Sequence, residues 1–136
     1  MSNDHNHRLV EDLMVSDVVT ISCMATLRDA MEKMRARKVK SLVVEKRHDG
    51  DAWGLVTYTA ILRTIIEEDG DIDLVNVYDI ATRPVLTVPR QLEVRHAVSM
   101  MLRFDIRRLV VSSNNELEGV LTMNDIVSEI LDKLDD

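Results

Sequence analysis

The chain contains one short pattern twice, as GLVTYTA (Gly54–Ala60) and as GVLTMND (Gly119–Asp125). Each copy is an apolar run that ends in Thr and continues into a segment with helical spacing. A strand that passes directly into a helix leaves the first backbone N–H groups of that helix without partners inside it. The second copy ends in a carboxylate and the first ends in Ala, so the two turns differ in their capacity to accept hydrogen bonds.

The rest of the chain is duplicated as well. At an offset of 67 residues, VEDLMVSDVVTI (Val10–Ile21) aligns with VYDIATRPVLTV (Val77–Val88), and the LVV run at Leu42–Val44 aligns with the LVV run at Leu109–Val111. Beyond the loop that follows each LVV run the offset falls to 65, which aligns the two quoted turns. One loop-sized change in offset among so many ordered matches indicates two copies of one unit.

Both copies have the same predicted secondary structure. Apolar residues recur with helical spacing in two segments of each copy, and these segments begin at Leu27, Ile61, Val94 and Ile126. The runs SLVVEK and RLVVSS, followed by WGLVT and EGVLT, predict two β-hairpins with DGD and NNE in their turns. With VVTI and VLTV as opening strands, the sequence predicts an α/β (α+β) fold of two β-α-β-β-α repeats.

The repeats are predicted at 8–68 and 77–134, on either side of an acidic linker at 69–76. The polar tail at 1–7 is expected to be disordered. A unit of about 60 residues has too little core to bury two helices and a sheet by itself. We therefore expect the two repeats to pack face to face on their strands, as one domain with pseudo-twofold symmetry.

Composition argues against several classes of function. A net charge of −7 and a pI near 5.0 disfavour non-specific nucleic-acid binding. The chain has no signal-peptide pattern and no apolar run long enough to cross a membrane, and its single cysteine, Cys23, cannot form an internal disulfide; a cytoplasmic protein is expected. His5 and His7 lie in the polar tail, and His96 on a helix lacks catalytic partners, so we expect neither a metal site nor an enzyme.

The motif GVLTMND, the opening segments LMVSDVVTI and IATRPVLTV, and the strand IRRLVV together resemble a tandem pair of cystathionine β-synthase (CBS) domains, called a Bateman module. The resemblance covers about Arg8 to Leu134. It implies a regulatory module that binds AMP, ADP or ATP, or alternatively S-adenosylmethionine or NAD, in clefts between the repeats. It also implies pairing into homodimers and signalling to an effector protein.

The resemblance also assigns residues. In the cleft built on Asp125, the motif Asp would accept hydrogen bonds from the ribose hydroxyls and Thr122 would contact phosphate. The remaining residues implied for this cleft are Val120, Asn124, Arg107 and Arg108 from the second repeat and Thr20, Ala25, Val39 and Lys40 from the first. The other cleft, with Thr57, Ala60 and Thr87, would be degenerate because Ala60 cannot accept a hydrogen bond from ribose.

The sequence leaves alternatives open. Thr122 and Asp125 also fit a capping box, in which they serve only the start of a helix. Lys40, Arg107 and Arg108 could form a basic pocket that favours a phosphorylated ligand, or could be solvated residues at strand ends. Arg108 could also face the weaker cleft, and one of the two arginines could pair with a carboxylate. The chain is thus predicted to be a stand-alone nucleotide-binding regulator, with a ligand-free dimerisation module as the alternative. The exposed faces of the helices after Thr57 and Thr122 are the expected dimer surface.

Overall fold

The computed structural model of the protein describes residues 7–134. The helices and strands follow in this order: α1 (Val10–Leu13), β1 (Thr20–Ile21), α2 (Leu27–Arg37), β2 (Ser41–Val44), β3 (Gly54–Thr57), α3 (Tyr58–Leu62) with a π-helical continuation (Arg63–Glu67), α4 (Val77–Ile80), β4 (Thr87–Val88), α5 (Val94–Phe104), β5 (Arg108–Ser113), β6 (Glu116–Thr122) and α6 (Met123–Leu134). The predicted tail lies outside the described residues, except for its last position.

The described chain forms two compact units with the same topology. Unit I comprises Val19–Val85, and unit II comprises residues 7–18 together with 86–134. Each unit has a three-stranded sheet, in which the opening strand pairs parallel with the central strand and the hairpin partner pairs antiparallel with it. The two orders are β1-β2-β3 and β4-β5-β6. The predicted α+β fold with the pattern β-α-β-β-α is confirmed in both units.

The compact units differ from the sequence repeats because the part of each opening segment that precedes its strand joins the unit of the other repeat. In unit II, the Val15 N–H donates to the Val120 carbonyl at 2.9 Å, which ties the segment after α1 to β6. In unit I, the Thr82 N–H donates to the Leu55 carbonyl at 2.8 Å, which ties the segment after α4 to β3. Helices α1 and α4 have four residues each, too few to show an apolar period in the sequence.

The segment predicted as a linker packs on unit I at the start of α2. The carbonyls of Ile72 and Val75 accept hydrogen bonds from the backbone N–H groups of Arg28 and Leu27, at 3.0 and 3.1 Å. The guanidinium of Arg28 also pairs with the Asp73 carboxylate. These contacts satisfy N–H groups that the first turn of a helix cannot satisfy internally.

The first predicted helix of each repeat, α2 or α5, contributes one buried apolar face to the core of its unit. In unit I the buried stripe on α2 is Leu27, Ala30 and Met34, and in unit II the buried stripe on α5 is Val94, Ala97 and Met101. Both stripes pack on the central strands, whose apolar side chains are almost fully buried. This aliphatic packing agrees with the helical spacing in the sequence.

The hairpin of unit II is closed by two asparagines in the left-handed region. Asn114 and Asn115 have φ values of 52° and 67° and lie between the paired residues Ser113 and Glu116. A two-residue loop with positive φ at both positions matches the twist of the flanking strands. The predicted NNE turn is therefore confirmed, and β6 begins earlier than the EGVLT run suggests. The opening strands are shorter than predicted, because only two residues of each pair with the central strand.

The helices that follow the two Thr turns bury only part of their predicted apolar stripes. Ile61 and Ile126 are buried, whereas Leu62 is 60% exposed, Ile66 is 72% exposed and Leu131 is 55% exposed. A single layer of helix on a small sheet covers one narrow side of each helix, so the rest of an apolar stripe faces solvent. Within residues 7–134, no helix combines the length and hydropathy needed to cross a bilayer.

Candidate functional site

The turn at the end of β6 forms a complete capping box. The Thr122 Oγ1 accepts a hydrogen bond from the Asp125 N–H at 3.1 Å, and the Asp125 Oδ2 accepts one from the Thr122 N–H at 3.2 Å. Each residue thus satisfies a backbone donor of the other at the start of α6. The capping role considered from the sequence is present in the structure.

The cap uses only part of the hydrogen-bonding capacity of Asp125. A carboxylate has two oxygens with about four lone-pair positions, and the capping bond occupies one position on Oδ2. The side chain is half-buried, so it is reachable from solvent. Asp125 can therefore cap α6 through Oδ2 and still accept hydrogen bonds from a diol through Oδ1.

The equivalent turn of unit I makes half of this exchange. The Thr57 Oγ1 accepts a hydrogen bond from the Ala60 N–H at 3.3 Å, which corresponds to the first bond of the Thr122 turn. Ala60 has no side-chain acceptor to return the bond to the Thr57 N–H. The asymmetry seen in the sequence is thus realised in the local structure.

Capping by aspartate recurs elsewhere in the chain. Thr26 and Asp29 form a second capping box at the start of α2, with hydrogen bonds of 3.0 and 3.2 Å. The Asp12 Oδ2 accepts from the Leu9 N–H at 2.9 Å before α1. Asp12 and Asp29 are exposed, whereas Asp125 is half-buried at a strand-to-helix turn. Asp29 therefore provides a matched reference for a cap outside the GVLTMND motif.

Arg108 lies directly across the hairpin from Thr122 in the β5–β6 register. Residues paired in this way project from the same face of a sheet, so a basic side chain accompanies the Thr122 turn. The Arg108 Nε is buried and has no hydrogen-bond partner among the described residues. A buried donor without a partner is costly, and an anion is one kind of group that could satisfy it.

The other predicted residues of unit II lie near the same turn in the sequence. Arg107 is exposed, and its carbonyl accepts a hydrogen bond from the Met123 N–H at 2.8 Å, which joins the start of β5 to the start of α6. Asn124 is exposed and Val120 is half-buried. The structure therefore brings Thr122, Asp125 and Arg108 together, with Arg107 beside them.

The predicted residues of the first repeat lie in unit I. Thr20, Ala25 and Val39 are half-buried, and Lys40 is exposed. The Lys40 carbonyl accepts from the Tyr58 N–H at 3.1 Å, as the Arg107 carbonyl does in unit II. Of the residues assigned to the second cleft, Thr57 and Ala60 belong to unit I and the exposed Thr87 belongs to unit II. Completion of either cleft by the other repeat stays a prediction.

The remaining titratable candidates stand apart from this turn. His7 and His96 are exposed, and Cys23 is buried with a free thiol. His5 lies outside the described residues. Among the described residues, no three His, Cys, Asp or Glu side chains lie close enough together to hold a metal ion.

A second polar cluster, in unit I, was not identified from the sequence. The Arg83 guanidinium carbon lies 3.2 Å from the centroid of the Tyr78 ring, and that of Arg47 lies 4.0 Å from it. The Tyr78 hydroxyl donates to Asp51, whose pKa is lowered to about 2, chiefly by the backbone N–H groups of Arg47 and Ala52. The two repeats differ here, because Tyr78 and Arg83 align with an acid and a serine in the first copy. This difference between the two copies is the feature of the sequence from which the cluster could have been predicted.

Three comparisons place these features among known proteins. The profile of the CBS domain family matches residues 10–67 and again residues 77–132. An uncharacterised protein of Methanopyrus kandleri is 34% identical over 112 residues, which are 82% of this chain and 57% of that protein. A homoserine O-acetyltransferase of Methanocorpusculum labreanum is 31% identical over 124 residues, which are 90% of this chain and only 24% of the enzyme.

Solved structures of CBS-domain proteins have the same fold as this chain. A hexameric CBS-CP12 protein from bloom-forming cyanobacteria superimposes with a TM-score of 0.84 at 31% identity, over 90% of this chain and 71% of that one. An AcuB protein of Vibrio cholerae, described as a putative acetoin utilization protein, has a TM-score of 0.76 at 22% identity and shares the fold. The chain therefore spans between about a quarter and about half of the curated relatives described above, and most of these two solved chains.

Proposed function

The chain belongs to the CBS domain family as a tandem pair, and on that premise we propose that it is a regulatory protein that binds an adenine nucleotide of the AMP, ADP or ATP class. The observation that carries the proposal is the half-buried Asp125, whose carboxylate caps α6 through one oxygen and keeps acceptor positions for a ligand. Binding would pass to an effector protein through a change in how the module packs. A ligand can produce such a change only if it binds one arrangement more tightly than another.

The proposed contacts follow from the chemistry of each group. Two ribose hydroxyls offer two O–H donors, which suit an acceptor-only carboxylate such as that of Asp125. Phosphate would lie near Thr122 at the start of α6, where the helix dipole favours an anion. Arg108 and Arg107 would add donors that match phosphate oxygens in pairs.

The residues of unit I would complete the cleft. We assign Thr20, Ala25, Val39 and Lys40 to the nucleotide, with the backbone and apolar groups contacting the base and Lys40 adding positive charge. These cations favour a phosphorylated ligand over S-adenosylmethionine, and NAD is a further candidate because it also carries phosphate. The Ala60 cleft would bind more weakly because it lacks the ribose acceptor.

Binding without turnover is part of the proposal. Cys23 is buried, and the described histidines are exposed and lie apart from Asp125 in the sequence. Nucleophilic catalysis requires a nucleophile within hydrogen-bond reach of a base. The enzymes among the relatives match this chain over only about a quarter of their length, as the homoserine O-acetyltransferase does at 24%.

The test separates ligand binding from capping with an isosteric substitution. Asp125→Asn keeps one oxygen to cap the Thr122 N–H but replaces the other with an NH₂ group, which opposes a ribose O–H donor. Isothermal calorimetry should show AMP or ATP affinity falling at least about 10-fold, the effect of losing about 1.4 kcal/mol. Asp29→Asn makes the same change in the capping box outside the motif and should leave the affinity unchanged.

A ligand-free interaction module is the second candidate, because the capping box is complete without any ligand and occurs also at Asp29. It predicts that no AMP, ADP or ATP binds at millimolar concentration. Where weak binding is measurable, it predicts that Asp125→Asn and Asp29→Asn change the AMP affinity equally. Either result would remove the nucleotide from the proposal. Self-association through the exposed faces of α3 and α6 is common to both candidates and agrees with the hexameric assembly of the cyanobacterial CBS-CP12 protein.

A further inference from the structure

The backbone donors at the start of α6 are largely used within unit II itself. The first four N–H groups at the start of a helix have no partner inside it. Here the Thr122 N–H and the Asp125 N–H donate within the capping box. The Met123 N–H donates to the Arg107 carbonyl at 2.8 Å, which leaves the Asn124 N–H as the fourth. The backbone of this turn therefore has little left with which to hold a phosphate.

Two side chains beside the turn can still donate. The Thr122 Oγ1 accepts a hydrogen bond from the Asp125 N–H, so its own hydrogen stays available for an acceptor. Arg108 is paired with Thr122 across the hairpin, and the hydrogen bond between Met123 and Arg107 lies next to this pair. Arg108 and Thr122 are therefore a non-hydrogen-bonded pair, in which the Cα atoms are about 4.5 Å apart and the side chains share one face.

Arg108 has no counter-charge in the part of the chain that the structure describes. Its Nε is buried without a hydrogen-bond partner, and no carboxylate forms an ion pair with its guanidinium there. Leaving a buried cationic donor unmatched is costly, and an oxyanion would match it. In unit I the corresponding pair is Ser41 and Thr57, so that turn lacks both the arginine and the carboxylate.

The positive charge around the Thr122 turn is small. Two cations, Arg107 and Arg108, accompany one carboxylate, Asp125, which leaves one positive charge in excess. Asp105, exposed shortly before β5, reduces this excess, and Glu129, one helical turn beyond Asp125, is already paired within unit II. A single phosphomonoester carries a charge of about −1.5 to −2 and therefore already exceeds the positive charge of the turn.

The residues that the proposed function assigns from unit I leave this balance unchanged. Lys40 adds one cation. The Thr20 hydroxyl donates to the Glu45 carboxylate at 3.4 Å, so this threonine brings an acid with it and its hydrogen is not available to a phosphate. Neither unit supplies a second set of phosphate donors.

We propose that the site takes a nucleoside monophosphate in preference to the diphosphate or the triphosphate, and that Arg108 and the Thr122 hydroxyl hold its single phosphate. The inference rests on the proposed function and names the ligand within its class. With the ribose hydroxyls on Asp125, the phosphate attached to the ribose would lie beside these two donors. Each further phosphate would add negative charge without a matching donor, at a turn that already contains a carboxylate.

The order of affinities tests the ligand preference on the unsubstituted chain. Calorimetry with adenosine, AMP, ADP and ATP is performed without divalent cations, because these would neutralise part of the polyphosphate charge. AMP should bind at least about 10-fold more tightly than adenosine, through the charge-assisted bonds to its phosphate. AMP should also bind at least about 10-fold more tightly than ATP, with ADP between them.

Substitution of Arg108 tests how the phosphate is held. Arg108→Met keeps much of the aliphatic stem and removes the donors, so it should weaken AMP binding at least about 10-fold and leave adenosine binding unchanged. Arg108→Lys restores the charge without the paired donors and should recover part of the AMP affinity. Arg35→Met removes an exposed arginine from α2 in unit I and should change neither affinity.

The outcomes separate this inference from the proposed function. ATP binding as tightly as AMP would overturn the monophosphate preference and leave nucleotide binding in place. An Arg108→Met chain that loses AMP and adenosine affinity equally would overturn the role of Arg108 in holding the phosphate. Absence of binding by all four ligands would overturn the proposed function and this inference together. The order of affinities needs no variant, so it decides the preference even where a variant does not fold.

Discussion

The Thr57 and Thr122 turns have the same backbone plan, yet only one of them has a side-chain acceptor in the first turn of its helix. Both Thr side chains cap the helix by accepting an N–H three residues ahead. Only Asp125 returns a hydrogen bond to its Thr, and only that turn is followed by a long regular helix. Both copies therefore have the Thr cap, while a carboxylate with acceptor positions beyond the cap is present in one copy only.

The largest expected effect is on stability, from substitutions in β6 and β3, the strands that lead into the two turns. Leu121→Ala removes a fully buried side chain from β6 and should lower the free energy of unfolding by about 3 kcal/mol. The equivalent change in β3, Val56→Ala, removes two carbon atoms instead of three and should cost less. Urea denaturation followed by circular dichroism measures both. The exposed Leu131→Ala is the control and should cost under about 0.5 kcal/mol. Equal losses for Leu121→Ala and Leu131→Ala would contradict the assigned core.

The length of the carboxylate side chain tests the ribose assignment at the second turn. Asp125→Glu retains the capping-box pattern but moves the carboxylate by one methylene, so AMP affinity should fall about 10-fold, equivalent to about 1.4 kcal/mol. Asp29→Glu should leave AMP affinity unchanged. Calorimetry on both variants gives the comparison directly. An Asp125→Glu chain that binds AMP as tightly as the original would show that Asp125 does not contact the ribose.

The first turn can be made like the second. Ala60→Asp supplies an acceptor for the Thr57 N–H and a negative charge in the first turn of α3, which should raise stability by about 0.5 kcal/mol. If the missing carboxylate is what weakens the first cleft, calorimetry should also show more nucleotide bound per chain. An unchanged stoichiometry, with the cap gained, would indicate that other groups of that cleft exclude the ligand.

The smallest expected effect is a dependence of stability on pH, which comes from Asp51 in the polar cluster around Tyr78 of unit I. The folded-state pKa of Asp51 is lowered to about 2 by hydrogen bonds from the Arg47 and Ala52 N–H groups. Stability from this carboxylate is therefore present above the ordinary pKa of about 4 and is lost as pH falls towards 2. Asp51→Asn should flatten the decline in melting temperature between these pH values. Asp49→Asn, at a neighbouring exposed aspartate, should leave that decline unchanged.

Much of the fold followed from local patterns in the sequence. The stripes that begin at Leu27 and Val94 predicted the core helices because their spacing directly encodes one buried face. The NNE turn was recognisable because asparagine tolerates positive φ. The short helices α1 and α4 were missed, since four residues contain no complete apolar period and their position depends on distant strands.

The site was predictable only in part. The capping residues Thr122 and Asp125 are close in the sequence, so their contact follows from helix geometry alone. The register that places Arg108 across from Thr122 depends on where the hairpin closes, and the sequence did not specify which of the two arginines faces the turn. The exposure of Leu131 and Leu62 also could not be read from their apolar spacing, because the width of the buried face is set by tertiary packing.

Because each opening segment bonds to a strand of the other repeat, the chain cannot be cut into its two sequence repeats without breaking these hydrogen bonds. The carbonyl of Val120 and that of Leu55 each receive a hydrogen bond from the opening segment of the other repeat. A fragment containing one sequence repeat would therefore contain the strand β3 or β6 without the segment that bonds to it. It would also contain an opening segment without the strand to which that segment bonds. Such a half-molecule is complementary to itself, so two copies could complete each other by exchange. A division after Val18 and after Val85 would instead keep each of these segments with its strand, and unit I would then be one continuous stretch of chain.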